Sequence, residues 1–506
     1  MPKNWTNNGP ENGPTKPATP RRSLRVAVIG AGPGGLCSAI ALDRAGFRDY
    51  TIYEKAVGVG GTWYHNRYPG CACDVASSLY SFSFEQKLDW KRPFGAQAEI
   101  LAYMEGIATK YGLRDRCRFG AEVKQLEWDA GTARWRLTLA SGERAEADIV
   151  VSALGMFNDL AWPEIAGRDR FEGVAFHSAR WNERHDLTGR RVGVIGSAAS
   201  AVQFVPEIVK QAAEVSLFQR TANWVLPKQD TPYTDAEIAA HCADPQVFAR
   251  EREENYRFLD ALMTMSDPDL LAKMAAEGSK ALGAVRDPAV REKLRALHPY
   301  GCKRPLLSND YYPAFNRPNL ELVTEPIERI TADGVVTNDG RERRFDTLIF
   351  ATGFATTKYL SALDVRGRDG KRIDDAWNDG AIAYLGITTA GFPNLFMLYG
   401  PNTNNGSILE MIESQVAHVI AQLEGIVNED LAWVDVRRDA MERFNDEIQR
   451  RIGQVPVWQA SCNGYYRAPS GRIVTQWPGS MTGYKAQAMT IDRTAFEVGR
   501  RETGSR

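Results

Sequence analysis

The sequence predicts an α/β chain of two Rossmann-like dinucleotide-binding domains, the second inserted into the first and carrying a helical insertion. Two repeats predict it. A β-branched strand, a glycine turn and a helical stretch occur twice, starting at Arg25 and at Arg190. An acid, an apolar strand and a glycine recur at identical spacing as Asp148-Ile-Val-Val-Ser-Ala-Leu-Gly155 and Asp346-Thr-Leu-Ile-Phe-Ala-Thr-Gly353. With 506 residues the chain has room for both domains.

Residues 1–22 hold five prolines and four asparagines with almost no large apolar side chain, so residues 1–23 are expected to form a disordered tail. Arg21-Arg22 before an apolar run imitates an export signal, but that run is the first strand of the fold. It leads into Arg25-Val-Ala-Val-Ile-Gly-Ala-Gly-Pro-Gly-Gly35. Gly30 permits the tight turn, Gly32 lets backbone amides approach a pyrophosphate, and Gly35 lets helix and strand pack closely. A second strand at 50–53 ends at Glu54, where a carboxylate accepts hydrogen bonds from adenosine ribose hydroxyls.

The second copy, Arg190-Arg-Val-Gly-Val-Ile-Gly196, continues through Ser197 and Ser200 into a helix at 202–213 and a strand at 214–218. Ala198 and Ala201 stand where glycines are usual, and the two serine hydroxyls offset the restricted backbone approach. The strand ends at Gln219-Arg220-Thr221. No carboxylate there repels a 2′-phosphate, and Arg220 offers a bidentate guanidinium for one, so this half reads as an NADP site. The domains are expected at 24–157, at 158–343 with amphipathic helices over 234–297, and at 344–506, where the chain returns to the first domain and ends in a C-terminal region.

Charge and cysteine usage exclude other classes. With 62 basic and 63 acidic side chains, a nucleic-acid surface is not indicated. No window reaches about 18 uninterrupted apolar residues, so no transmembrane helix is expected. Seven cysteines without a CxxC pair fit a reducing, cytoplasmic compartment and a chain stabilised by its own core. Cys71 and Cys73 read as packing residues, and the six histidines lack metal-ligand spacing, so no metal site is expected.

The sequence resembles the two-domain flavoprotein monooxygenases and, within them, the Baeyer–Villiger monooxygenases, from about residue 24 to 488. Phe171-Glu-Gly173-Val-Ala-Phe-His177-Ser-Ala-Arg-Trp181 resembles the family fingerprint, with Asn182 in place of its usual final proline or aspartate. Gly60-Gly61-Thr62-Trp63, Tyr68-Pro-Gly70 and Asp74 match a second signature. The resemblance implies FAD at the first turn and NADPH at the second, with a small-molecule ketone and O2 as co-substrates. No motif specifies an oligomeric state. It also implies that oxygen, activated as a peroxide at flavin C4a, is inserted beside the carbonyl to give an ester or lactone. The related branch oxidises sulfur or nitrogen instead.

The matching catalytic position is Arg304 in Lys303-Arg304-Pro305, oriented by Asp74, with Lys303 as a second NADPH contact. Gly61, Thr62 and Trp63, and Asn402 in Leu398-Tyr-Gly-Pro-Asn402, match cofactor positions. Phe171, Gly173, His177 and Trp181 are expected to couple domain movement to the nicotinamide; general-base work by His177 is the weaker reading.

Overall fold

The computed structural model describes residues 23–462, 464 and 466–501; the expected tail lies outside them, Ser23 excepted. The first glycine turn joins the strand Val26–Ile29 to the helix Pro33–Arg44. The strand is buried along its whole length, as both faces of a parallel sheet are covered. Its sheet has the order Leu395–Met397, Ile149–Ser152, Val26–Ile29, Tyr50–Glu54, Cys117–Phe119, all parallel, with Val26 opposite both Tyr50 and Ile149.

The second sheet repeats the plan in the order Leu320–Val323, Glu214–Phe218, Arg191–Ile195, Thr347–Phe350, Val174–His177. The repeated acids have a common task. Asp148 accepts the Arg25 amide and Asp346 accepts the Arg191 amide, each at 2.8 Å, so each acid satisfies the backbone donor at the start of a glycine-turn strand.

Because Thr347–Phe350 lies between two strands of the second sheet, the boundary expected at 343/344 falls inside that unit. The chain crosses back only after Gly353. There the two crossings run side by side: Ala161 donates to the Gly353 carbonyl at 2.9 Å, and Ala355 donates to that of Asp159 at 3.0 Å. The sequence offers an acid-strand-glycine unit at both sites but no marker of which sheet the strand joins.

The stretch 234–297 forms the helices Asp235–Ala243, Pro245–Leu262, Pro268–Leu282 and Pro288–Lys293. Three of them start with proline, whose missing N–H costs nothing in the first turn. Side-chain oxygens of Thr234, Asp244, Asp267 and Asp287 cap the four. Among the described residues no helix is long and apolar enough to cross a membrane.

The cysteine expectation needs one correction. Cys302 and Cys462 form a disulfide across 160 residues of sequence, a pairing that no local spacing encodes. Cys71 and Cys73 are buried, and burial pushes both thiols up, that of Cys71 to about 12.

Candidate active site between two nucleotide folds

Both glycine turns leave their helices uncapped. Neither Pro33–Arg44 nor Ala199–Ile208 has a side-chain cap, in contrast to the four inserted helices. Their first amides stay available to an anion. A Cβ on Gly35 would stand 1.9 Å from the Gly30 carbonyl oxygen, so this residue sets the helix-to-strand distance. Gly30 and Gly196 have φ of +106° and +105°, and a Cβ there would meet the Ala153 and Ala351 oxygens at 2.7 and 2.4 Å.

One cavity of about 490 Å³ is bordered by both turns: Gly30 and Gly32 on one side, Ala198 and Ser200 on the other. Gly61, Thr62, Trp63, Asp74 and Arg304 also line it. Glu54 is buried at its edge, where the Ala31 and Ala56 amides each donate to the carboxylate at 2.7 Å. These bonds fix the direction of a carboxylate whose oxygens can accept further hydrogen bonds.

Arg304 comes from the inserted unit and Asp74 from the first. Arg304 Nε and Nη2 lie 3.0 and 2.7 Å from the same Asp74 oxygen. The arginine's segment is fixed just downstream, where Leu306–Leu307 pairs in parallel with Val225–Leu226.

Arg220 is exposed at the end of Glu214–Phe218, with Lys303 nearby. Lys303 donates to the Thr221 hydroxyl at 2.9 Å, and burial followed by the charge of Arg220 lowers its pKa. Among the described residues neither cation forms an ion pair with a carboxylate. Two mutually repelling cations beside a nucleotide fold suit a phosphate dianion. Gly196 and Ser197 shape the turn behind them; Ser197 is buried and its carbonyl accepts from Asn223 at 3.1 Å.

The fingerprint sits at the chain crossings and not on the cavity wall. The His177 ring lies against Trp162 and Phe354, one from each crossing, at 5.4 and 6.1 Å between centroids. Its Nδ1 accepts the Ala179 amide at 3.1 Å. Burial lowers its pKa to about 4, which keeps the ring neutral. Trp181 packs on Phe176 and Phe204. A Cβ on Gly173 would meet Phe171 at 2.6 Å and the Asp346 oxygen at 2.8 Å, so the glycine lets this segment close onto its sheet.

A 40%-identical relative decides the family. Over 484 residues, 94% of this chain and 92% of the relative, the chain is similar to a Baeyer–Villiger monooxygenase of Pseudomonas aeruginosa. This chain belongs to the Baeyer–Villiger monooxygenase family. Residues 27–243 also match the pyridine nucleotide-disulphide oxidoreductase family model. A crystal structure of cyclohexanone monooxygenase from Rhodococcus sp. Phi1 bound to NADP+ is similar with a TM-score of 0.85 at 30% identity, covering 95% of this chain and 100% of that one. An oxidised steroid monooxygenase bound to NADP gives 0.84 at 30% identity, with the same coverages.

Within this Baeyer–Villiger fold, six of the residues expected at the cofactors stand off the cavity lining: Gly35, Gly196, Ser197, Arg220, Lys303 and Asn402. Asn402 does not line the cavity. Its amide donates to the Ile473 and Gln476 carbonyls at 3.0 and 2.9 Å, and its own N–H donates to Val474 at 2.8 Å, so it ties this loop to the C-terminal segment. Its neighbours Leu398, Tyr399 and Asn404 form the wall instead. The structure adds Tyr80, whose hydroxyl accepts from Trp63 Nε1 at 3.0 Å at the cavity edge. A lone tyrosine in a loop carries no sequence signal that could have found it.

Proposed function

We propose that this chain uses NADPH and O2 to insert one oxygen atom beside a ketone carbonyl, by ketone + O2 + NADPH + H+ → ester or lactone + NADP+ + H2O. The Arg304–Asp74 pair, on the wall of a cavity that both glycine turns border, carries this reading. FAD fits the first turn, with the uncapped Pro33–Arg44 helix for its pyrophosphate and Glu54 for its ribose. NADPH fits the second, with Arg220 and Lys303 for its 2′-phosphate.

Bound flavin, once reduced, supplies the activated oxygen. Everything else asked of the chain is positioning and charge. A guanidinium keeps its proton at working pH, so Arg304 favours anionic over protonated oxygen at the cavity wall. The same charge stabilises the negative charge that builds on the ketone oxygen during attack. Asp74 holds the guanidinium by two donors on one oxygen and so fixes its direction. Oxidation of sulfur or nitrogen needs electrophilic, protonated oxygen and gains least from this cation. His177 acts at the crossings, where a neutral buried ring transmits the position of one unit to the other.

Small-molecule ketones are the substrate class, and a cytoplasmic location belongs to the same reading, supported by the demand for NADPH. Product analysis with matched ketone and thioether substrates tests it: ester or lactone is expected to dominate, and sulfoxide as the sole product would overturn it.

A further inference from the structure

The Cys302–Cys462 disulfide bridges the two nucleotide units. Cys302 precedes Lys303 and Arg304 on the inserted unit, and Cys462 follows the turn Pro456–Trp458 in the C-terminal part of the first. Their Cα atoms are 6.2 Å apart. Trp458 anchors the start of this loop in an apolar cluster with Ile452, Trp477 and Tyr484. Gly464 also lies against Lys303: a Cβ on it would stand 3.6 Å from Lys303 Cγ.

Otherwise the units are joined covalently by the two adjacent crossings after Gly155 and Gly353, which hydrogen-bond to each other. Two neighbouring crossings define a hinge line about which one body turns on the other. The crossings pack around Trp162, His177 and Phe354, whereas the disulfide lies beside Ala460 and Lys303, so it is a third covalent tie made by other segments. A third covalent tie made by other segments restrains the rotation that two neighbouring crossings permit.

We propose that Cys302 and Cys462 form a reversible thiol–disulfide switch that decides whether the inserted unit, with Lys303 and Arg304, moves against the first. In a reducing compartment a protein disulfide is typically transient and redox-sensing. The oxidant is hydrogen peroxide, made when NADPH oxidation is not coupled to oxygen insertion: NADPH + H+ + O2 → NADP+ + H2O2. Closure transfers two electrons from sulfur to the peroxide, 2 Cys–SH + H2O2 → Cys–S–S–Cys + 2 H2O. A dithiol reductant reverses it by exchange, becoming a disulfide itself. Cys302 is buried and Cys462 is half-buried, so Cys462 meets the peroxide first and Cys302 closes on it across the 6.2 Å between their Cα atoms; Cys242 is exposed and is mapped alongside them.

The switch rests on the two-cofactor reading but not on the ketone chemistry. The experiment treats FAD-loaded enzyme with hydrogen peroxide or with dithiothreitol, maps cysteines by alkylation and peptide mass, and follows anaerobic bleaching of the flavin by NADPH. Peroxide-treated wild type is expected to yield the 302–462 cross-linked peptide and to bleach at least threefold more slowly, with dithiothreitol restoring the rate. Cys462→Ser, and Cys302→Ser as the independent second variant, are expected to bleach at the reduced wild-type rate under both treatments. Alkylated, unbonded cysteines after peroxide, or equal bleaching rates in both wild-type states, would overturn the switch. Redox-dependent bleaching without ester formation would leave the switch standing and remove the ketone reading.

Discussion

Arg304 and Asp74 meet across the boundary between the two nucleotide units, with Nη2 and Nε of the arginine on a single carboxylate oxygen at 2.7 and 3.0 Å. The side chains are 28% and 33% exposed, so the pair is open on one side to the cavity it borders. In the proposed reaction its worth lies in aiming a charge, since a partly exposed ion pair adds little to stability.

Removing that charge is expected to separate two activities. Arg304→Ala should bind FAD and oxidise NADPH while ester formed per NADPH falls about 100-fold or more, the usual cost of losing a donor aimed at developing charge. Arg304→Lys keeps a charge but loses the planar fork and should recover only part. Asp74→Ala should be milder, because the guanidinium remains and only its direction is lost. Ester yield and released hydrogen peroxide, counted together, are the measurements.

Cofactor choice is expected to follow Arg220. Arg220→Ala should lose about 1.5–3 kcal/mol in kcat/KM for NADPH, roughly ten- to hundredfold, with NADH almost unaffected. Lys303→Ala should act in the same direction. Equal losses for both nucleotides in steady-state kinetics would make the arginine structural.

The two glycines of the first turn should fail differently. A Cβ on Gly32 would meet the Gly61 Cα at 3.4 Å and its amide nitrogen at 3.9 Å, both ordinary contacts, so Gly32→Val should fold but crowd the pyrophosphate and lose flavin. A Cβ on Gly35 would stand 1.9 Å from the Gly30 oxygen, so Gly35→Ala should lower stability itself. Flavin absorbance and thermal unfolding, measured on each variant, distinguish blocked binding from broken packing.

The features legible in the sequence are those set by local chemistry. A glycine at positive φ, an acid before a strand and a carboxylate at a strand end each act within a few residues of their motif, so Gly30, Asp148 and Glu54 announced their places. Features that depend on which distant segment arrives were not legible. Nothing near Thr347 marks its strand as belonging to the second sheet, nothing near Asn402 says that the C-terminal segment claims its amide, and Cys302 finds its partner 160 residues away.

Acid stability carries a further test through His418. Its Nδ1 faces the Ala488 carbonyl at 2.8 Å, and burial lowers its pKa to about 4 against an ordinary 6.5. The folded chain therefore refuses a proton that the unfolded chain accepts, so stability falls as pH drops from about 6.5 and the loss is complete below about 4. Across that window His418→Gln should lose less unfolding free energy than wild type in denaturant titrations; parallel curves would contradict the assignment.

The most direct measurement of the central claim supplies FAD-loaded protein with NADPH, 18O2 and a panel of cyclic ketones and analyses the products by mass spectrometry. The account predicts a lactone with a single 18O in the ring, an unlabelled carbonyl, and one NADPH consumed per lactone. Steady NADPH oxidation that leaves every ketone unchanged and yields only labelled hydrogen peroxide, while a thioether is converted to labelled sulfoxide, would contradict it.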